Sequence, residues 1–207
     1  PIFPMPARTL YFAELGPVWN DWIQVINVGN APTRVTCLAK DGAAKPVWSQ
    51  EHRISPFTGW IPPVQEITVS ASLTISADQP IVAERHMHRG TEVLDFAGAC
   101  PESKTVGKRL FFPELVPGAW DWFRILNVGE ADAHVSITVR NAQGAVARQR
   151  SRTIGPFRWW DVDEKEMSNV RGTVELVSTQ PVVAERHLHY KGGKAAVGQL
   201  GQVLDPD

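Results

Sequence analysis

The sequence predicts an all-β protein built as two tandem antiparallel β-sandwich domains related by internal duplication. Three observations carry that reading. Pro80–His88, PIVAERHMH, returns at Pro181–His189 as PVVAERHLH, and a match of this kind around a charged core marks one structural unit made twice. Short runs rich in β-branched and aromatic residues recur in each copy, separated by turn signals every ~8–12 residues. No stretch of about 12 residues or more carries a clear helical period. The predicted division is a proline-rich segment at 1–7, a first sandwich at 8–95, a linker at 96–107 and a second sandwich at 108–207.

Each element follows from its residues. Pro1–Ala7 holds three prolines and reads as extended, an edge or linker segment. RTLYFAEL (Arg8–Leu15) opens copy one and KRLFFPEL (Lys108–Leu115) opens copy two. NDWIQVINVGNA (Asn20–Ala31) matches WDWFRILNVGEA (Trp120–Ala131), each a strand that stops at an Asn-Val-Gly turn. Thr33–Ala39 and Ala133–Arg140 come next, running into glycine-containing loops at Asp41-Gly42 and Gln143-Gly144, with Val47–Ile54 and Ala147–Ile154 as return arms. Pro56 and Pro156 break those arms. Thr68–Ile75 and Gly172–Val177 alternate again and end at ADQP and STQP, which read as turns before the motif strand. EVLD (Glu92–Asp95) and QVLD (Gln202–Asp205) close the two copies as their last strands. Asp161–Asn169 could form a short helical turn. Phe96–Gly107, FAGACPESKTVG, is small and polar and reads as a semi-rigid linker.

Composition narrows the function classes. The net charge is −1, so the chain lacks the positive field that nucleic acid or an anionic membrane calls for. No apolar run reaches the ~18 residues of a membrane-spanning helix, and no signal peptide is visible. The chain opens on proline, not methionine; a removed export signal, a trimmed chain or an excised fragment would each account for that. The only cysteines are Cys37 and Cys100. They read as one buried and one incidental thiol, with a Cys37–Cys100 bridge as the alternative.

The stretches LYFAEL, DWIQVINVGNA, VTCL and QPIVAERHMH together resemble a repeat of bacterial cell-surface proteins, in which YFAEG opens the unit, NPG follows the second strand and QPIVVERPMYF closes it. The resemblance spans nearly the whole chain, once per copy. Leu10–Glu14 and Leu110–Glu114 stand at the opening, Asn27–Gly29 and Asn127–Gly129 at the turn, and Gln79–Arg85 and Gln180–Arg186 at the close. Val28 and Val128 replace the family's proline, and His86 and His88 (His187 and His189) stand where the pattern has Pro and Tyr. The resemblance implies extracellular, tandem Ig-like modules with spacing or adhesive roles and no catalytic residues.

The candidate chemistry is sparse. Strand alternation puts Val82, Glu84, His86 and His88 on one face and Ala83, Arg85 and Met87 on the other. The pairs His86/His88 and His187/His189 could hold part of a zinc, nickel or copper site. Two ligands do not complete one, so ordinary strand polar residues are the stronger reading. Arg85 and Arg186 fall on the core side and need partners, because an unpaired buried charge is very costly. Glu14 and Glu114, kept in both copies, are the natural choices, giving the structural pairs Glu14–Arg85 and Glu114–Arg186, with Glu84 and Glu185 competing. Eight tryptophans call for an explanation. Trp22/Trp122 and Trp60/Trp160 coincide between copies and read as core or domain-interface packing. Trp19, Trp48, Trp120 and Trp159 have no counterparts and read as exposed partner-binding residues, for protein rather than glycan. Asp161, Asp163, Glu164 and Glu166 form an acidic knot, a solvated loop before a calcium site.

No nucleophile–base pair, phosphate loop or zinc-finger spacing appears. The sequence therefore points to a non-enzymatic extracellular module without cofactors, part of a surface protein, appendage or filament. Its expected partners are further copies of itself or another surface protein. Pro1–Ala7 and Gly192–Asp207 are candidates for strands donated to a neighbour. A glycan- or metal-binding adhesive module is the alternative.

Overall fold

In the computed structural model, residues 4–163, 170–190 and 195–204 are described. The chain divides into two compact units, Pro1–Ser103 and Lys104–Asp207. Each is an antiparallel β-sandwich. The first contains β1 (Ala7–Leu15), β2 (Asn20–Asn27), β3 (Thr33–Lys40), β4 (Pro46–Ile54), β5 (Gly59–Trp60), a 3-10 turn (Val64–Glu66), β6 (Ala71–Arg89) and β7 (Glu92–Ala97). The second contains β8 (Gly107–Leu115), β9 (Trp120–Asn127), β10 (Ala133–Asn141), β11 (Val146–Ile154), β12 (Trp159–Val162), β13 (Gly172–His189), β14 (Ala196–Leu200) and β15 (Gln202–Val203).

One long strand organises each unit. β6 lies between β3 and β1 in its first half and between β2 and β7 in its second. β13 does the same with β10 and β8, then with β9 and β14. ADQP and STQP are therefore not chain-reversing turns. They are where one strand crosses from one layer to the other. The inward residues keep one parity throughout, from Leu73 and Ile75 to Ile81, Ala83 and Met87, so the core pattern never breaks. Pro80 lacks an N–H, and the groups around it find partners outside the ladder. The Gln79 N–H goes to Thr33 Oγ1 at 2.9 Å, and the Pro80 carbonyl accepts the Val28 N–H at 3.0 Å.

That crossing is clasped by the Asn-Val-Gly turn. The Asn27 Nδ2 donates to the carbonyls of Ala31 (2.8 Å) and Ile54 (3.2 Å), and its Oδ1 accepts the Gly29 N–H at 2.9 Å. Asn127 repeats this with Ala131 (2.8 Å), Ile154 (2.9 Å) and Gly129 (2.9 Å). The Asn27 and Asn127 carbonyls accept the amides of Phe57 and Phe157, both held at a left-handed φ of 56°. A Cβ on Gly29 would lie 2.9 Å from the Gln79 Cβ, and one on Gly129 2.9 Å from the Gln180 Cβ. Glycine is thus required where the turn meets the Gln-Pro crossing. This one contact explains why two motifs distant in sequence recur together.

The last strands differ from the expected ones. In the second unit it is β14, not QVLD, that occupies the place of β7. Glu84 opposes Ala97 and Glu185 opposes Leu200. The next residue, Gly98 or Gly201, donates its N–H to the Ala83 or Ala184 carbonyl at 2.9 Å. Gln202–Val203 forms β15 on β8, the position of the Tyr11–Ala99 bridge in the first unit. The likeness of EVLD to QVLD is accidental, and Asp205 lies outside the described residues. The first unit also continues past Asp95: Phe96 ends inside β7, and Ala99 and Cys100 are fully buried. Ala7, Ala196–Leu200 and Gln202–Val203 pair within their own units, so these parts of the proposed donor segments are already occupied. Residues 1–3, 191–194 and 205–207 lie outside the described residues, as does most of the expected turn at 161–169.

Candidate functional site: the repeated motif strands

The inward face of each motif strand holds a buried ion pair. Arg85 and Arg186 follow the alternation into the core and are 0% exposed. Asp21 and Asp121 project from the first inward positions of β2 and β9, in file with Ile23 and Phe123. Arg186 grips Asp121 as a fork, Nε to Oδ1 at 2.9 Å and Nη2 to Oδ2 at 2.6 Å, while its Nη1 donates to Gln199 Oε1 at 2.7 Å. Arg85 faces Asp21 in the same way at 3.3 and 3.4 Å. Paired, bidentate geometry is what lets a guanidinium sit in a core. Burial pushes the Asp121 carboxyl above its ordinary range, against the downward pull of Arg186.

The forked partners are thus two aspartates that the sequence reading did not name. Glu114 is exposed and makes no ion pair among the described residues; the β8 register shifts between Phe112 and Leu115, on either side of it. Glu14 is buried on β1, while the fork on Arg85 comes from Asp21. Glu185 is buried on the other face of the strand, and Glu84 there is exposed. The signal for the aspartates was present: each immediately precedes the repeated Trp, in NDW and WDW.

The outward face holds a second repeated device. Trp22 lies directly across from His86, and Trp122 across from His187. Their rings stack at 4.1 Å and 15°, and at 4.0 Å and 18°. Trp22 and Trp122 are half-buried on this outer face; they are cross-strand partners of histidine, not core residues. His86 Nδ1 contacts the Asp95 carboxylate on β7, and His189 packs against Trp120 at 4.7 Å. No group of three His, Cys, Asp or Glu that could hold a metal occurs among the described residues. In the expected metal pairs His86/His88 and His187/His189, the first imidazole of each is stacked on an indole. The two copies differ in exposure: His86 and Glu84 side chains are 25% and 54% exposed, His187 and Glu185 0%.

Of the four unmatched tryptophans, one fits an exposed partner-binding role. Trp120 is 44% exposed. Trp19 is buried beneath the Arg89 guanidinium, 4.7 Å from its ring. Trp48 is half-buried, with Nε1 donating to Glu66 Oε2 at 2.9 Å. Trp159 is half-buried under Arg124 at 4.7 Å, and Arg124 in turn forks onto Asp161 at 2.6 and 2.9 Å. Of the acidic knot, Asp161 is thus engaged by Arg124; Glu164 and Glu166 lie outside the described residues. Cys37 and Cys100 are buried and unbonded. Burial pushes the Cys37 thiol up to about 12. No helix is long and apolar enough to cross a membrane among the described residues.

No family model matches the chain, and no curated protein matches it. Among solved structures, Thermotoga maritima 1070 is similar over 49% of this chain and 97% of its own, at 15% identity and a TM-score of 0.43. A candidate secreted protein from Parabacteroides distasonis is similar over 95% of this chain and 81% of its own, at 11% identity and a TM-score of 0.25. A calcium-binding mutant of Bacteroides uniformis β-glucuronidase 2 is similar over 93% of this chain and 25% of its own, at 7% identity and a TM-score of 0.24.

Proposed function

We propose that the chain is a non-enzymatic structural module of a bacterial surface protein, appendage or filament. It acts through protein–protein association, with copies of itself or with another surface protein. The observation that carries this reading is the use made of the repeated polar residues. Asp21–Arg85 and Asp121–Arg186 are forked together in the cores. Trp22–His86 and Trp122–His187 are stacked on each other, and Asn27 and Asn127 clasp the strand crossings. The residues most suited to chemistry are thereby engaged in holding each unit together. The resemblance to cell-surface repeats supports the extracellular placement. The exposed Trp120 offers a large apolar contact of the kind that anchors protein interfaces.

Sedimentation velocity across a wide concentration range tests the self-association arm. Assembly that weakens in Trp120→Ser supports it. A strictly monomeric chain at high concentration removes it, leaving a different surface protein as the partner. Recovery of the native protein solely from the cytoplasmic fraction would overturn the extracellular placement.

A further inference from the structure

Among the described residues, β11 is an edge of its sheet and pairs with β10 alone. Its residues Arg148, Arg150 and Arg152 stand opposite Val139, Ile137 and Val135. They therefore share the core-side face of the sheet, yet all three are exposed or half-exposed at the lip of the sandwich. No acidic residue lies in β11, and none of the three arginines forms an ion pair among the described residues. Among the described residues, Arg150 Nη1 donates to the Gln149 carbonyl of its own strand, at 3.0 Å. The Arg148 Nε is shielded from solvent without a hydrogen-bond partner.

The first unit shows that the fold does not need this row. Its equivalent strand places Trp48, Gln50 and His52 opposite Ala39, Cys37 and Val35. There Trp48 is tied to Glu66 and His52 stacks on Trp60 at 4.9 Å. Local partners engage the first unit's edge; among the described residues, no acidic partner engages the three arginines of the second unit's edge.

We propose that β11 is a docking edge for an extended acidic peptide segment, which adds to the sheet as a further strand. The inference rests on the reading of the chain as a protein-association module and names the chemistry of one partner. Alternate residues of β11 repeat every ~7 Å, and an added strand repeats at the same spacing. Carboxylates at every second residue of such a strand would each fall opposite one arginine, ~5 Å away at Cβ. The unpaired N–H and C=O groups of the edge supply the main-chain bonds of strand addition. A second copy of the same edge is disfavoured, since like charges directly opposite repel. A sulfated polysaccharide would meet the charge but make no use of the backbone edge.

The test measures fluorescence anisotropy of the full chain with a labelled nine-residue peptide of alternating Glu and Thr. The expected result is saturable binding that weakens about tenfold or more in Arg148→Ser/Arg150→Ser/Arg152→Ser, three cross-strand charge pairs being lost. Methylating the peptide's backbone nitrogens along one edge abolishes binding, and bound peptide slows hydrogen exchange of β11 amides. Circular dichroism confirms that the variant is folded. A charge-reversed variant, Arg148→Glu/Arg150→Glu/Arg152→Glu, is expected to bind an alternating Lys/Thr peptide instead. Equal binding of the methylated peptide, tighter binding of a heparin fragment, or no effect of the triple serine change overturns the proposal. Sedimentation of the same variants separates the two readings. Association that persists while the peptide fails sinks the acidic-strand docking alone.

Discussion

Removing the Asp121 carboxylate should unfold the second unit at temperatures where the native chain is stable. Asp121→Ala leaves the fully buried Arg186 guanidinium with Gln199 as its named remaining partner. Breaking a buried pair costs about 3–5 kcal/mol, because the surviving charge keeps its desolvation penalty and loses its compensation. For a unit of about 100 residues, 1 kcal/mol shifts Tm by ~4–8 °C, so the loss should be at least about 12 °C. Two further variants separate a buried charge problem from a packing one. Asp121→Asn keeps the shape and mimics the protonated carboxyl that burial favours, so it should cost less than Asp121→Ala. The double change Asp121→Leu/Arg186→Met removes both charges and should recover most of the stability. Differential scanning calorimetry of the full chain, with hydrogen exchange to assign each transition to a unit, reads all three. A single variant as stable as the native chain, or a double variant no better than the single, would refute the reasoning. The first unit's fork is longer, 3.3 Å at Arg85 Nε against 2.9 Å at Arg186 Nε. Asp21→Ala should therefore fall towards the lower end of that range.

Asn27→Ala and Asn127→Ala each strip donors from two carbonyls, and denaturant unfolding should show a loss of about 1–3 kcal/mol per buried group left unsatisfied. Gly129→Ala forces its new Cβ against Gln180; thermal melts should show destabilisation that Gln180→Ala relieves. Phe57 is 73% exposed at φ 56°, so Phe57→Gly should raise stability by up to about 1 kcal/mol in urea titration. The Cys37 thiol, raised from 9.0 to about 12, favours the fold in its neutral form. Its contribution is full below the unfolded value and fades as pH rises through the folded one. Stability should drop by about 1.4 kcal/mol per pH unit inside that window, and Cys37→Val should flatten the alkaline limb of the stability curve.

The β class, the duplication and most strands were legible because alternation and turn residues act locally. The inward Arg85 and Arg186 were legible for the same reason: strand phase alone decides which face a residue takes. What alternation cannot supply is the partner across the sheet. Finding Asp21 as a partner of Arg85 needs the register of β2 against β6, which a sequence does not display. ADQP was misread because Gln-Pro after a polar pair is locally a turn signal. The hydrogen bonds that keep the strand running, to Thr33 and Val28, come from distant residues. The stacking of His86 on Trp22 was hidden for the same reason, since Trp22 is far away in sequence and register alone places it directly opposite. QVLD misled in another way, since four residues are too few to outweigh the pairing that β14 makes with the whole of Glu185–His189.

The two copies also act as an internal comparison within one chain. Positions that agree, such as Asp21/Asp121, Asn27/Asn127, Gly29/Gly129 and Arg85/Arg186, all carry buried bonds or a close approach that the sandwich requires. Where they disagree, the fold tolerates either residue, and the choice must come from outside the fold. Trp48, Gln50 and His52 against Arg148, Arg150 and Arg152 is one such disagreement. Asp95 against Gly198, across the strand from the paired histidines, is another. Both lie at edges or on outer faces, where a partner could read them. A swap of the first set into the second unit should therefore leave its stability nearly unchanged while abolishing acidic-peptide binding. Chimaeras melted by calorimetry and titrated by anisotropy would measure both. A swapped unit that binds as before would show that β11 contributes only its backbone, and one that fails to fold would make the arginines structural.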